Sequence, residues 1–250
     1  MTNALPMGGT PPRKTGTLYL IPTHLSQATD ANTAHVLPPA VLATAVGLSH
    51  YIAENAKTAR AFLKAIGIKR PVSEISIVEL DKHAKSDDDS LLMAPLLRGE
   101  DVGLVSEAGA PAVADPGALV VAAAHQAGIA VKPLVGPSAI LLALMASGLN
   151  GQSFAFHGYL PQDRAARIKR MQQLEQESRQ QMRTQMFIET PYRNQALLDD
   201  LLATLNPTTR LCIGTDLTGE FESIRTRPLS AWLSQPPALA KLPTMFLFLA

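Results

Sequence analysis

Short apolar segments alternate with helical patterns over the first half of the chain. Residues 16–22, 48–53, 75–80, 101–106 and 129–133 have the character of buried strands. Helical spacing or a closing glycine predicts helices over 38–45, 56–66, 90–98, 117–126 and 138–147, with Ser90 and Ser138 near two helix starts. This alternation predicts βαβ units and a mainly parallel sheet.

The pattern changes after residues 147–152, a break rich in Gly, Asn and Ser. Strands are predicted at 153–157, 184–189, 210–215, 222–227 and 245–249, with helices at 164–183 and 194–205. Because strands partly follow strands here, the second sheet is predicted to be mixed. The fold class is therefore α/β in two domains: a disordered tail over 1–15, an N-terminal domain over 16–147 and a C-terminal domain over 148–250.

Composition narrows the function classes. The 250 residues carry a net charge of +1, with 46% hydrophobic and 5% aromatic residues, which argues against disorder, coiled coil and global recruitment of nucleic acid. The lone Cys212 cannot form an internal disulfide and favours a reducing, cytoplasmic setting. Apolar runs are too short for a membrane span, the N-terminus lacks the pattern of a secretory signal, and the six histidines lack metal-ligand spacing.

Three loops at predicted strand ends carry the candidate chemistry. Ser106–Gly117 reads SEAGAPAVADPG, and it is either a ligand loop or a plain strand-to-helix connection that Asp115 and Pro116 initiate. Gly136-Pro-Ser138 either presents helix N–H groups or is ordinary Ser capping. Glu189–Arg193 either lets Thr190 donate to a ligand and Arg193 pair with an acid, or is a simple turn. Together they favour one ligand cleft between the two domains.

The residues and the order of several segments resemble those of the tetrapyrrole (corrin/porphyrin) methylase family. The segments are Gly16–Thr23, Ser106–Gly117, Gly136–Ala139 with Ala146–Leu149, Phe156–Pro161 and Glu189–Arg193. The most similar branch is the ribosomal RNA small-subunit methyltransferase I group, whose members methylate a ribose 2′-oxygen. The resemblance covers roughly residues 16–250, and the loop Ser106–Gly117 read with Gly136-Pro-Ser138 is quite specific for that branch.

The resemblance implies S-adenosylmethionine bound in a cleft between two α/β domains, usually in a homodimer. Carried over by position, the cofactor contacts fall at Pro22, Glu107, Ala110, Ser138, Ala139, Thr190, Leu217, Pro243 and Thr244.

Departures from the branch cluster on the substrate side. After the first strand the chain reads Pro22-Thr-His-Leu-Ser-Gln-Ala28 instead of Pro-Thr-Pro-Ile-Gly-Asn-Leu. Glu54-Asn-Ala-Lys57 replaces an acidic-Asp-Thr-Arg motif, and Asp216-Leu-Thr-Gly219 replaces Glu-Leu-Thr-Lys. Near the C-terminus Lys241-Leu-Pro243 stands for Lys-Gly-Glu. The chain therefore resembles a shorter side branch whose substrate can differ.

A hydroxyl acceptor needs a base or a cation near its oxygen. Glu54 and Lys57 are the candidate catalytic residues, with His24 a further candidate base; the first two share a helix face if the helix starts early enough. The alternative is a solvent-facing pair at a helix start. The helix at 164–183 is locally basic, and it either contacts phosphates or presents a solvated face.

The leading hypothesis is an S-adenosylmethionine-dependent methyltransferase acting on RNA or another cytoplasmic acceptor. The first alternative is a non-catalytic binding or regulatory module that kept the cofactor cleft. The second is methylation of a small tetrapyrrole, which is weaker because the glycine-rich loop after the first strand, usual in that group, is missing at residues 22–28.

Overall fold

The computed structural model describes residues 15–26, 35–80 and 89–250, which form two compact units. The first unit comprises the chain up to Thr23 and Leu37–Gly136, and the second comprises His24–Val36 and Pro137–Ala250. Apart from residues 15 and 89, the predicted tail 1–15 and the polar loop 81–89 lie outside the described residues.

The first unit is a five-stranded parallel sheet with helices between its strands, as the alternation predicts. Its sheet order is β3-β2-β4-β1-β5. Its elements are β1 (Thr17–Ile21), α1 (Pro39–Gly47), β2 (His50–Ala53), α2 (Ala56–Ala65), a 3-10 turn (Val72–Glu74), β3 (Ser76–Glu79), α3 (Asp89–Leu97), β4 (Val102–Val105), α4 (Gly117–Gln126) and β5 (Ala130–Pro133).

Burial of β-branched and leucine side chains on the central strands holds this unit together. Leu18, Ile52 and Leu104 are almost fully buried and form one cluster with Leu96 of α3 and Val120 of α4. Each such side chain contributes about 1.5–3 kcal/mol of transfer free energy. Ser90 was predicted as the cap of α3, but the helix already includes Asp89, so Ser90 lies inside it.

The second unit contains a mixed sheet, as predicted. Its order is β6-β7-β10-β8-β9, with β6 and β7 parallel and the other neighbours antiparallel. Its elements are α5 (Ala139–Ser147), β6 (Phe154–Tyr159), α6 (Arg164–Gln181), β7 (Thr184–Glu189), α7 (Asn194–Thr204), β8 (Arg210–Thr215), β9 (Ser223–Pro228), α8 (Leu229–Ser234) and β10 (Thr244–Leu249).

Helix α5 belongs to the second unit and not to the first. Its Ala143 and Leu144 are buried in one cluster with Met186, Cys212 and Leu247 of the second sheet. The division between the compact units therefore falls at Gly136 and Pro137, before the helix. The segment 147–152, proposed above as the boundary, lies at the far end of the same helix.

The two faces of the second sheet are covered by different helices. The alternation of side chains along β10 places Phe246 and Phe248 against α6, α7 and α8, whereas Met245 and Leu247 face the cluster that contains α5. Both faces are thus buried, which explains the nearly continuous apolar run of β10. None of the helices in the described ranges is long and apolar enough to cross a membrane.

Candidate functional site

Loops of the first unit meet at the carboxyl edge of its parallel sheet. Ile21 and Ala53 both lie in register with Val105, so the loops after β1, β2 and β4 begin side by side. The chain leaves β1 toward one side of the sheet, to β2, and leaves β4 toward the other side, to β5. Such a reversal between neighbouring strands is the place where open α/β sheets bind ligands.

Hydrogen bonds join the loops after β1 and β4. Thr23 donates its backbone N–H to the Gly109 carbonyl at 2.9 Å and its hydroxyl to the Ser106 carbonyl at 3.3 Å. The loop after β5 closes on the same place, because a Cβ on Gly136 would lie 2.4 Å from the Cβ of Pro22. The chain thus needs glycine at 136 to bring these loops together around buried Pro22.

The loop Ser106–Gly117 is held in an uncommon backbone conformation. Ala112 and Ala114 have positive φ angles of 65° and 60°, which cost L-residues roughly 1–2 kcal/mol each. Asp115 compensates, because its Oδ1 accepts the N–H of Ala112 at 2.8 Å and that of Gly117 at 2.7 Å. Asp115 therefore contributes to the start of α4, and it also stabilises the strained loop by these two hydrogen bonds. Strain of this kind is typical of ligand-binding segments.

Replacement of Asp115 tests whether its carboxylate stabilises the strained loop. Burial raises the pKa of this carboxyl above 3.8, although the N–H groups of Gly117 and Ala112 oppose the shift. The folded state then holds its proton more tightly than the unfolded chain, so the free energy of unfolding falls as pH rises from 3.8 through the raised pKa. Asp115→Asn keeps the accepting oxygen but cannot titrate, so its free energy of unfolding should not show this decrease with pH. Asp115→Ala removes the acceptor and should lower the free energy of unfolding by about 1–3 kcal/mol at every pH.

Urea unfolding of the three proteins at several pH values measures the effect. The difference between the wild type and Asp115→Asn isolates this carboxyl from all other titrating groups. An identical pH dependence in both proteins contradicts the role given to the carboxyl. Wild-type stability of Asp115→Ala contradicts the conclusion that the Asp115 hydrogen bonds stabilise the loop.

The candidate catalytic residues Glu54 and Lys57 also follow a strand of this edge. Helix α2 begins at Ala56, and Asn55 is its cap, accepting the N–H groups of Lys57 and Thr58. Glu54 therefore precedes the cap, so the early helix start that would place it on one face with Lys57 does not occur. Glu54 is half-buried beside the start of the loop after β4, whereas Lys57 is exposed in the first helical turn.

The candidate cofactor residues of the first unit differ in exposure. Pro22 is buried, Ala110 is half-buried and the Glu107 side chain is exposed. All three belong to the joined loops after β1 and β4, so the structure brings them to one edge of the first sheet.

In the second unit, Thr190, Pro243 and Thr244 lie at a corresponding edge. Glu189 at the end of β7 is in register with Thr244, and Thr244 with Thr215 at the end of β8. The Thr215 and Thr244 hydroxyl oxygens are 3.2 Å apart. Leu217 follows Thr215, and it shares an apolar cluster with Ala139 on the face that contains α5.

Glu189 and Arg193 fix the loop that contains Thr190. The buried Glu189 carboxylate accepts from Arg193 Nη2 at 2.6 Å and from the Thr190 N–H at 2.7 Å. The prediction that Arg193 pairs with an acid is thus confirmed, and the acid is inside the same loop. The turn is also more than a simple one, because the buried Glu189 carboxylate, paired with the partly exposed Arg193, accepts the N–H of Thr190.

Ser138 occupies the cap position of α5, but its side chain makes no capping hydrogen bond. Ordinary Ser capping is therefore not what the structure shows. The first N–H groups of a helix lack partners within the helix, so the start of α5 suits a polar ligand. In the same unit, burial lowers the pKa of His24, which favours the neutral imidazole and makes it a weaker base.

Residues 216–219, whose sequence departs from the branch, form a turn with an uncommon backbone conformation. Asp216 and Thr218 have positive φ angles of 50° and 67°. The Asp216 carboxylate accepts the Phe221 N–H at 2.9 Å and lies 2.2 Å from where a Cβ on Gly219 would stand. The Asp and the Gly that replace the branch's Glu and Lys therefore depend on each other sterically.

Basic side chains of α6 are largely engaged. Arg167 is buried against Asp200, Arg164 pairs with the same carboxylate, and Arg170 pairs with Glu177. Part of the positive charge of this helix is therefore used in ion pairs within the second unit. In the described ranges, no group of three or more His, Cys, Asp or Glu residues is arranged to hold a metal ion.

Sequence reasoning missed two features of these edges. The exposed Phe221 follows the turn at residues 216–219, and Arg225 lies on β9. Their signal was present, since an aromatic residue and a cation follow a segment that departs from the branch, but only the fold brings both to one cavity with Thr215, where Arg225 pairs with Ile213.

The predicted site residues divide between the units. Glu54, Lys57, Pro22, Glu107 and Ala110 belong to the first unit. The second unit contains the others, namely Ser138, Ala139, Thr190, Leu217, Pro243 and Thr244. The single cleft that would join the two sets stays a prediction.

Comparison with known proteins defines the class. Residues 41–232 match the family described as Tetrapyrrole (Corrin/Porphyrin) Methylases. The fold is shared with diphthine synthase (TM-score 0.62, 13% identity, 94% of this chain and 90% of the other) and with the methyltransferase CobJ (TM-score 0.58, 16% identity, 93% of each chain). The chain therefore belongs to the tetrapyrrole (corrin/porphyrin) methylase family.

Within that family, the chain is similar to proteins named ribosomal RNA small subunit methyltransferase I. The relative from Xylella fastidiosa is 33% identical over 88% of this chain and 75% of its own length. The relative from Mesorhizobium japonicum is 34% identical over 86% of this chain and 68% of its own length.

Proposed function

We propose that this chain is an S-adenosylmethionine-dependent methyltransferase that methylates RNA, with a ribose 2′-hydroxyl of small-subunit ribosomal RNA as the acceptor. The observation that carries the proposal is the similarity to ribosomal RNA small subunit methyltransferase I over 88% of the chain. The strained loops support it, because positive φ angles occur in the same strand-end loops where the family resemblance implies cofactor contacts. A cytoplasmic homodimer completes the proposal.

The donor set suits the proposed cofactor. The candidate residues are apolar apart from Glu107, Ser138, Thr190 and Thr244, and most of them lie in loops at strand ends. An adenosyl group needs apolar contact and backbone partners, its ribose needs a carboxylate, and Glu107 supplies one. When bound, the cofactor supplies an activated methyl carbon. The chain's own part is to align the acceptor and to receive its hydroxyl proton, which we assign to Glu54.

Cofactor binding is the first test of this proposal. Calorimetry of the purified chain should show S-adenosylmethionine binding with a micromolar Kd, about −8 kcal/mol. Thr190→Ala should weaken binding about tenfold if its hydroxyl donates to the ligand, because one hydrogen bond is worth about 1.4 kcal/mol at that ratio. Thr204→Ala, at the end of α7, is the matched control and should bind as the wild type does.

Methyl transfer is the second half of the test. Small ribosomal subunits from cells that lack the chain should accept a labelled methyl group in its presence, and the modified nucleotide should carry it on the ribose. Cofactor binding without transfer to RNA, protein or tetrapyrrole identifies the chain as a non-catalytic module. Absence of both binding and thermal stabilisation at millimolar cofactor rejects both readings.

A further inference from the structure

A cavity of about 580 Å³ opens in the second unit between β8, β9, α8 and residues 237–242. Its buried lining is apolar and includes Ile213 and Trp232, and its exposed lining includes Phe221, Arg225 and Lys241. The volume lies in the range of small-ligand sites. The cavity thus combines an apolar interior with a cationic, aromatic mouth.

The charges at the mouth have one sign. Arg225 and Lys241 line the cavity, and none of its described lining residues is acidic. Neither cation forms an ion pair within the part of the chain that the structure describes. Lys241 Nζ lies 5.4 Å from the ring centroid of Tyr192, which is 81% exposed. An anionic partner with an apolar, planar part complements this surface.

The cavity adjoins Thr244, one of the residues proposed to contact the cofactor. Thr215 lines it, and the Thr215 hydroxyl lies 3.2 Å from that of Thr244. A methyl acceptor must be held next to its donor, so a subsite for the acceptor is expected at this sheet edge.

The turn at residues 216–219 fixes the backbone at Phe221. Asp216 accepts the Phe221 N–H, and Gly219 leaves room for the Asp216 carboxylate. The Phe221 ring is 65% exposed at the mouth of the cavity, although a hydrogen bond fixes its backbone N–H. The turn therefore leaves the ring accessible to a ligand in the cavity.

We propose that this cavity, the Phe221 pocket, binds an unpaired nucleotide of the RNA acceptor, with the base on Phe221 and its phosphates at Arg225 and Lys241. This inference rests on the proposed function and specifies its acceptor side. A base must leave its helix to stack on an aromatic side chain, so the pocket selects single-stranded over duplex RNA.

Binding of a short single-stranded RNA of mixed sequence, and of its duplex, tests the pocket. Phe221→Ala should weaken binding of the single strand about tenfold or more and leave duplex binding nearly unchanged. The variant with both Arg225→Ala and Lys241→Ala should lower the slope of log K against log salt by about 1.4, since each lost phosphate contact contributes about 0.7. Phe221→Tyr should restore binding, whereas Phe221→Leu should not, because only the ring stacks.

Matched controls lie at the opposite edge of the same sheet. Phe154→Ala removes a partly exposed aromatic residue at the start of β6, and Arg210→Ala removes a cation at the start of β8. Both should bind RNA as the wild type does. Thermal unfolding and S-adenosylmethionine affinity should be unchanged in every variant, which separates the pocket from the fold and from the cofactor site.

Two results overturn the inference while the proposed function stands. The first is methylation of ribosomal RNA with wild-type RNA affinity in all pocket variants. The second is a change in the monomer–dimer equilibrium of Phe221→Ala without a change in RNA affinity, which makes the pocket a contact between copies of the chain. Failure of the wild type to bind cofactor or to transfer a methyl group instead rejects the proposed function.

Discussion

Replacing Asp200 by alanine is expected to lower the free energy of unfolding by about 3–5 kcal/mol. The Asp200 side chain is 5% exposed and accepts from Arg167 Nε at 2.9 Å and from Arg164 Nε at 2.8 Å. Arg167 is itself buried, so removal of the carboxylate leaves an uncompensated cation in the interior. Urea unfolding followed by circular dichroism measures the loss.

The controls for Asp200 come from its own surroundings. Asp199→Ala changes the neighbouring carboxylate, which is exposed and accepts only from Gln195 among its described partners, and it should shift stability by no more than about 0.5 kcal/mol. Adding Arg167→Met to Asp200→Leu should recover most of the loss, because an apolar pair can replace a buried ion pair. A double variant as unstable as Asp200→Ala contradicts the uncompensated-charge explanation.

The same pair predicts an acid-sensitive contribution to stability. Burial by itself raises the pKa of Asp200, but the Arg167 and Arg164 guanidiniums outweigh it and hold the pKa below 3.8. A lowered pKa means that the stabilisation is present above pH 3.8 and is lost as pH falls through the folded-state value. The advantage of the wild type over Asp200→Asn should therefore shrink in acid.

Most strands and helices could be predicted from the sequence because their signals are local. Alternation, glycine stops and proline breaks identified both sheets and their parallel or mixed character, as the strand order confirms. Helix α8 was missed because six residues between prolines give too little periodicity to detect. The assignment of α5 to the second unit depends on packing against distant strands, which no local pattern encodes.

The candidate site shows the same limit more sharply. The loops Ser106–Gly117 and Glu189–Arg193 were identified from their residue types at strand ends, although Gly, Pro and carboxylates occur in ordinary turns as well. The hydrogen bonds of Asp115 within its loop and of Asn55 at the start of α2 could not be predicted in this way. They depend on backbone angles and on which N–H group lies nearest. The neighbours of Phe221 depend on strand register between β8 and β9, which the sequence leaves open.

Glu54→Gln and Lys57→Ala are expected to lower the turnover of ribosomal RNA methylation about 10²-fold while leaving cofactor affinity nearly unchanged. Glu54 follows β2 at the carboxyl edge of the first sheet, beside the start of the loop after β4, and we propose that it receives the hydroxyl proton. Glu74→Gln and Lys64→Ala, exposed residues of the same unit, are the matched controls. Single-turnover rates with saturating cofactor measure the chemical step.

Stability provides the discriminating readout for Lys57. It lies in the first turn of α2, where the helix dipole disfavours a cation by about 0.3–1 kcal/mol, and the Asn55 cap leaves the helix intact without it. Lys57→Ala should therefore stabilise the fold slightly while it slows methyl transfer, a combination that a purely structural lysine cannot produce. A stabilised variant with wild-type turnover makes Lys57 a solvent-facing residue, and a loss of cofactor affinity in Glu54→Gln moves Glu54 from the acceptor side to the cofactor pocket.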